Sequence, residues 1–105
     1  MENSEAYKII SKTVKTLLPD SRVLLFGSRA RGEYDRFSDF DILIITSFSF
    51  SPKEKIDWHS KLDWAITKAI AMPVDILINS EEEVSEKMLL PGHIIRSVVK
   101  EGIAI

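Results

Sequence analysis

The chain has 105 residues, of which 45% are hydrophobic and 29% are charged, and its formal net charge at pH 7 is -2. This length fits a single domain, 1–105, that buries a core of its own, and the composition excludes a disordered chain. The lack of cysteine excludes disulfides and thiolate metal sites, and the slightly acidic balance argues against direct, general binding of nucleic acid.

Hydrophobic residues recur at helical or strand spacing along most of the chain. The predicted elements are, in chain order, a helix at 4–18, strands at 22–26 and 39–45, a helix at 52–71, a strand at 73–79, a short helix from 80 towards 90, a last helix from 94 that ends at Gly102, and a short edge strand at 103–105. This order predicts an α/β (α+β) fold, with a small mixed β-sheet of three to four strands flanked by about four helices.

Two of the predicted helices begin with a capping box, in which a serine is followed three residues later by a glutamate. Ser51 and Glu54 form one such pair, and Ser80 and Glu83 form the other. In each box the two side chains accept hydrogen bonds from backbone N–H groups that the first turn of a helix leaves free. The helix starts near 52 and 81 are therefore predicted by a mechanism as well as by hydrophobic spacing.

The order strand, helix, strand in the middle of the chain favours parallel pairing of the two strands, since such a crossover returns the second strand in the same direction. We therefore expect Asp39, Asp41 and Asp75 at one end of the sheet. If the first strand pairs antiparallel with the second, Ser28 reaches that end as well. The topology thus gathers four polar residues in one place.

Asp39 and Asp41 lie two residues apart, so on a strand their side chains share one face. Asp75, on the neighbouring strand, supplies a third carboxylate. Three clustered carboxylates repel one another and raise each other's pKa unless a cation lies among them. Ligation by oxygen alone suits Mg²⁺, which binds a few carboxylates together with waters and substrate phosphates. The sequence therefore predicts a magnesium site.

The turn that precedes these carboxylates has the character of an anion site. Gly27 permits a tight turn, and the residues after it are able to begin a helix whose N–H groups point at a phosphate, with the hydroxyl of Ser28 as a further donor. Arg29 and Arg31 follow, and guanidinium groups bind phosphate oxygens well. Metal-binding carboxylates beside such a turn predict a nucleoside triphosphate site and phosphoryl or nucleotidyl transfer.

The spacing of these residues resembles a known signature. Gly27 and Ser28, a ten-residue spacer, and the pair Asp39 and Asp41 are similar to the motif of the DNA polymerase β-like nucleotidyltransferase superfamily, and Asp75 in "PVDILI" stands where its third carboxylate does. Among its branches, the chain resembles the minimal nucleotidyltransferases, which contain little beyond the catalytic core.

The resemblance implies transfer of AMP from ATP to a hydroxyl group, with two Mg²⁺ ions and release of pyrophosphate. It implies that Asp39 and Asp41 hold the metals that bridge the triphosphate. Asp75 would bind the second metal and help to deprotonate the attacking hydroxyl, while Gly27 and Ser28 would bind the β- and γ-phosphates.

The resemblance also implies a partner, because minimal nucleotidyltransferases are commonly the antitoxins of small helical HEPN toxins and can adenylylate a tyrosine of the toxin. An alternative is a non-catalytic antitoxin that neutralises its partner by binding. A homo- or hetero-oligomer is compatible with either interpretation. Transfer to a small molecule or to an RNA end is less favoured, because such enzymes usually carry a further substrate-binding domain. Trp64, predicted opposite the buried face of its helix, is either a ring lying on lysine side chains or an anchor for a partner.

The sequence also predicts where the protein is located. No apolar run approaches the length of about 20 residues that spans a bilayer, and the first residues do not resemble a secretion signal. Together with the lack of cysteine, this favours a cytoplasmic protein without contact with a membrane.

His59 and His93 have no partner at metal-ligand spacing, so we expect surface or structural roles for both.

Overall fold

A computed structural model describes residues 3–105 of the chain. Its elements, in chain order, are α1 Asn3–Leu17, β1 Arg22–Phe26, α2 Gly27–Arg31, β2 Phe40–Thr46, α3 Pro52–Ile70, β3 Val74–Ser80, α4 Glu81–Met88, α5 Ile94–Glu101 and β4 Ile103–Ala104. The predicted order is confirmed, and most predicted ends shift by only a residue or two. None of the helices in this described part is long and apolar enough to cross a membrane.

The helix α2 is the main addition to the predicted elements. The sequence predicts only a turn with the beginning of a helix here, whereas the structure has a five-residue helix. Gly27 and Gly32 bracket it with φ angles of 74° and 76°, in the left-handed region that glycine adopts without strain. The helix therefore begins and ends where the backbone needs glycine, and it raises the number of helices from about four to five in the described residues.

Both predicted capping boxes are confirmed. The Oγ of Ser51 accepts a hydrogen bond from the N–H of Glu54 at 3.2 Å, and the Ser51 N–H donates to the Glu54 carboxylate at 2.9 Å. The corresponding distances for Ser80 and Glu83 are 3.0 and 2.9 Å. These bonds satisfy N–H groups at the starts of α3 and α4, which fixes where each helix begins.

The sheet has four strands in the order β3-β2-β1-β4. The crossover through α3 makes β2 and β3 parallel, as predicted, while β1 pairs antiparallel with β2 and with β4. The end of β1 and the starts of β2 and β3 consequently lie at the same end of the sheet. We call this the site end.

Helices cover both faces of the sheet, and alternate residues of β2 point to each. The α1/α3 face is packed by the helices α1 and α3, and from β2 it receives Phe40, Ile42 and Ile44. The α4/α5 face is packed by α4 and α5, and from β2 it receives Leu43 and Ile45. An apolar run such as β2 is therefore buried from both sides, as the sequence indicates.

The two tryptophans of α3 lie on different sides of the helix, as predicted. Trp58 packs towards the core, where its ring stacks on Phe50 with 5.8 Å between the centroids. The Trp64 side chain is 66% exposed, and the Nζ of Lys68 lies 4.6 Å from its ring centroid. Trp64 therefore has the lysine contact that the sequence suggests, and its role in binding a partner stays a prediction.

Candidate active site

The carboxylates of the site end are brought together by the register of two parallel strands. Asp41 of β2 and Asp75 of β3 are direct partners across the pair. Asp39 lies just before β2, two residues from Asp41. Asp41 is half-buried, whereas Asp39 and Asp75 are exposed. The structure thus puts the three predicted aspartates at one end of the sheet, with Asp41 the innermost.

The pKa of Asp41 reports the electrostatics of this group. Burial raises its pKa first, the negative charges of Asp75 and Asp39 raise it further, and the positive charge of Arg31 lowers it by a smaller amount. Desolvation and like charges both disfavour the ionised carboxylate, and a nearby cation favours it. The site end therefore has more negative charge than its own arginine compensates.

Gly27 lies directly against the innermost carboxylate. Its neighbour Phe26 is the register partner of Asp41, and a Cβ placed on Gly27 would lie 2.3 Å from the Oδ2 of Asp41. Any other residue would clash with the carboxylate and would also strain the backbone, whose φ is 74°. Ser28, half-buried, follows in α2. The predicted glycine-serine turn is thus beside the predicted metal ligands.

Glu101 is a residue of this region that the sequence does not reveal. Its carboxylate accepts a hydrogen bond from the N–H of Gly27 at 3.2 Å and pairs with the Nη1 of Arg31 at 3.4 Å. The only sequence signal is weak: an acid in the last turn of a helix opposes the helix dipole, so some other contact must favour it. A carboxylate of the chain therefore occupies the N–H group that the sequence assigns to a phosphate.

The two arginines after the turn have different surroundings. Arg31 is exposed at the site end, where it pairs with Glu101 and with Glu33, whose carboxylate lies 3.1 Å from its Nε. Arg29 is only 5% exposed, and its guanidinium donates to the carbonyl oxygen of Ser38 and to the side chain of Asn3. Arg31 is therefore exposed and paired with two carboxylates, whereas Arg29 is buried and bonded to neutral acceptors.

The residues of the site end suit a divalent metal by their chemistry. Among residues 3–105, no three side chains of histidine, cysteine, aspartate or glutamate form a ready-made metal cluster. The donors that the site offers are carboxylate oxygens, which Mg²⁺ prefers, and Mg²⁺ commonly takes the rest of its ligands from water and substrate. The raised pKa of Asp41 indicates that a cation would be favourable here. The donor set therefore fits Mg²⁺ bound together with a nucleotide.

Both histidines have structural contacts with main-chain groups, in line with the prediction. The Nε2 of His59 lies 3.2 Å from the carbonyl oxygen of Ile76 on β3. His93 precedes α5, and its Nδ1 accepts a hydrogen bond from the N–H of Ile95 at 3.1 Å. Each contact satisfies a main-chain group, so these rings help to hold elements in place.

Paired aspartates beside a glycine turn offer the metal ligands and the N–H donors that metal-assisted transfer of phosphoryl or nucleotidyl groups uses, so the site suits that class of protein. Comparison with known families shows which family of this class the chain belongs to. Residues 7–105 match the model of the nucleotidyltransferase domain, and the chain therefore belongs to that family. The resemblance noted from the motif is confirmed at this level.

Similar proteins include MJ0141 of Methanocaldococcus jannaschii, which is 47% identical over 57 residues. That match covers 52% of this chain and 58% of MJ0141, so it spans less than two thirds of that relative. A Haemophilus influenzae protein named "Probable protein adenylyltransferase MntA" is 30% identical over 100 residues, which cover 80% of this chain and 88% of that protein.

A solved structure extends the likeness to the fold. A toxin-antitoxin complex with AMP-PNP superimposes with a TM-score of 0.68 over 93% of this chain and 70% of the other, at 21% sequence identity. At this identity the match shows the nucleotidyltransferase fold alone. It agrees with the α/β architecture and the mixed sheet that the sequence predicts.

Proposed function

We propose that the chain is a Mg²⁺-dependent nucleotidyltransferase that moves AMP from ATP to a hydroxyl group, namely a tyrosine of a cognate HEPN toxin for which it is the antitoxin. The observation that carries the proposal is the register pair Asp41 and Asp75, with Gly27 against the first of them. Support for the acceptor and the partner comes from the relative named a protein adenylyltransferase and from the toxin-antitoxin neighbour.

In this proposal the residues of the site end have separate roles, and one set of them binds the triphosphate. The N–H of Gly27, the hydroxyl of Ser28 and the guanidinium of Arg31 bind the β- and γ-phosphates, and the N–H of Gly27 does so once Glu101 has moved away. Binding at these groups would bring the triphosphate to the site end, next to the three aspartates.

The three aspartates serve the metal and the acceptor. Asp39 and Asp41 would hold Mg²⁺, with Asp75 as a further ligand, and the bound metal supplies charge neutralisation for the triphosphate. Asp75 also accepts the proton of the attacking hydroxyl. The acceptor oxygen forms a bond to the α-phosphorus, the bond from that phosphorus to the oxygen bridging to the β-phosphorus breaks, and pyrophosphate leaves with the electron pair.

Exposed apolar side chains support contact with a partner. Leu89, Leu90 and Ile94, around the connection from α4 to α5, are 80%, 51% and 57% exposed. On α3, Trp64 is 66% exposed. Apolar side chains exposed close together are typical of surfaces that bind other proteins. Both regions are candidates for contact with the toxin.

The test is transfer of labelled AMP from α-labelled ATP to the proposed HEPN toxin, in the presence of Mg²⁺. We expect label on the toxin, and we expect Asp41→Asn to reduce the transfer at least about a thousandfold, because several kcal/mol of charge stabilisation is lost. Asp57→Asn is the matched control, since Asp57 is exposed on α3, and it should transfer at the unaltered rate. A toxin that binds tightly but takes no label would instead support the non-catalytic antitoxin.

A further inference from the structure

Arg29 is a buried arginine beside the predicted site. It lies in α2, two residues after the glycine turn, and is 5% exposed. Its Nε and Nη2 both donate to the carbonyl oxygen of Ser38, at 3.0 and 2.9 Å. That carbonyl belongs to the peptide unit whose nitrogen is the nitrogen of Asp39. Two hydrogen bonds from one guanidinium therefore fix the peptide directly before a predicted metal ligand.

The rest of the guanidinium is also in contact with protein. Nη1 donates to the side-chain oxygen of Asn3 at 3.0 Å. The guanidinium carbon lies 3.9 Å from the ring centroid of Phe40 and 4.9 Å from that of Tyr34. Aromatic faces and hydrogen-bond acceptors together compensate the burial of a positive charge. No phosphate is needed to explain why this arginine is buried.

Residues 35–38, the segment whose Ser38 carbonyl oxygen accepts from Arg29, form a turn. The N–H of Phe37 donates to the Asp35 carboxylate at 2.8 Å, and the N–H of Ser38 donates to the Asp35 carbonyl oxygen at 3.2 Å. This turn is exposed at Asp35 and Phe37, so few buried contacts of its own hold it on the protein. The guanidinium of Arg29 is the link between the turn and the buried ring of Phe40 at the start of β2.

We infer that Arg29 is a positioning residue, which sets Asp39 beside Asp41 through the Ser38 peptide and does not bind the triphosphate. This inference rests on the proposed function, because it assigns Asp39 to the metal. Groups that orient a metal ligand typically change metal affinity or activity by about 10- to 100-fold when they are removed. An error of about 1 Å in the position of a reacting group has an effect of similar size.

The experiment compares Arg29→Met with Arg31→Met, since methionine retains an apolar side chain and removes every donor. For each variant we would measure the affinity for AMP-PNP without metal, the affinity for Mn²⁺ by electron paramagnetic resonance with AMP-PNP present, and kcat for labelling of the toxin. For Arg29→Met we expect Mn²⁺ affinity and kcat to fall about tenfold or more, with AMP-PNP affinity changed less than about threefold. For Arg31→Met we expect the weaker AMP-PNP binding of a lost phosphate contact.

Arg29→Lys keeps the charge and the alkyl chain and makes a single bond where arginine makes two, so partial recovery of Mn²⁺ affinity is expected. It also provides the measurement if Arg29→Met does not fold. Weaker AMP-PNP binding with unchanged Mn²⁺ affinity would overturn the inference in favour of a phosphate contact. Loss of thermal stability with all three measurements unchanged would overturn it in favour of a purely structural role. The two binding measurements need no acceptor, so they test Arg29 even if the unaltered chain transfers nothing.

Discussion

The two faces of the sheet differ most at the site end, where Phe40 and Asp41 are neighbours on β2. Phe40 points to the α1/α3 face and is 1% exposed, beneath the guanidinium of Arg29. Asp41 points to the other face, where Leu43 and Ile45 are buried further along the strand but Asp41 itself is only half-buried. One strand thus contributes to a closed core on one side and to an open site on the other.

The difference between the faces follows from what covers them. The long helices α1 and α3 pack along the α1/α3 face, while the α4/α5 face is covered by two eight-residue helices. At about 1.5 Å per residue an eight-residue helix spans only about 12 Å. Short helices therefore leave room for polar groups at the edge of their own hydrophobic cluster.

The largest expected effect is a loss of stability, and a matched pair of substitutions compares the hydrophobic clusters on the two faces of the sheet. Ile44 and Ile45 are neighbours on β2, 0% and 1% exposed, and they point to opposite faces. We expect Ile44→Ala and Ile45→Ala each to lower the free energy of unfolding by about 2–5 kcal/mol, with Ile44→Ala the more costly because a larger cluster closes less readily around a cavity. Urea denaturation measures both. An equal or greater loss for Ile45→Ala would show that the smaller cluster is packed as rigidly as the larger one.

The next prediction concerns the site end, where the carboxylate of Glu101 accepts a hydrogen bond from the N–H of Gly27 and pairs with the guanidinium of Arg31. In the proposed function a triphosphate binds the same donors, and the carboxylate repels it. We therefore expect Glu101→Gln to bind AMP-PNP about two- to fivefold more tightly, a small factor because these charges are partly solvated. The measurement is isothermal titration calorimetry at moderate ionic strength.

Glu33→Gln is the control for that experiment. Glu33 also pairs with Arg31, at 3.1 Å, and its side chain is 69% exposed. If only Glu101→Gln binds AMP-PNP more tightly, Glu101 and the triphosphate compete for the N–H of Gly27. If Glu101→Gln binds AMP-PNP more weakly, Glu101 instead holds the glycine turn in its binding conformation. The site end would then be more ordered than its exposed aspartates indicate.

Much of the site follows from periodicity and topology alone. The two-residue spacing puts Asp39 and Asp41 together, and the crossover through α3 brings Asp75 to the same end, so local patterns and the rule that such a crossover joins parallel strands suffice. Gly27 is also readable, since a glycine directly after an apolar strand indicates a turn. These features depend on neighbours in sequence or on strand order, which is why they are predictable.

The remaining features depend on packing. Glu101 reaches Gly27 across 74 positions of sequence, and only the docking of α5 against α2 and β1 brings them together. Arg29 is charged and so is expected on the surface, and its hydrogen-bond acceptors are a carbonyl oxygen and an amide, which leave no charge pattern in the sequence. The helix α2 has only five residues, too few for helical spacing to be recognised.

The smallest expected effect is the pH dependence that Asp41 gives to stability. Burial and the neighbouring aspartates raise the pKa of Asp41 in the folded chain above its ordinary value of 3.8. The folded state therefore loses stability as the pH rises from about that value through the raised pKa, and the loss is complete above it. Asp41→Asn removes this cost, so the variant should be more stable than the unaltered chain at pH 7, with the difference vanishing below the ordinary pKa.

We expect a difference of at most about 1 kcal/mol at pH 7, since Asp41 is partly exposed to solvent. Thermal unfolding at several pH values measures it, with Asp57→Asn on α3 as a control that should show no such trend. Mg²⁺ together with AMP-PNP should reduce the advantage of the variant, because bound cations stabilise the chain that keeps all three carboxylates more than the variant that has lost one. If Asp41→Asn is instead less stable than the unaltered chain at pH 7, the ionised carboxylate already has a compensating partner within the fold, and the open end is not short of positive charge.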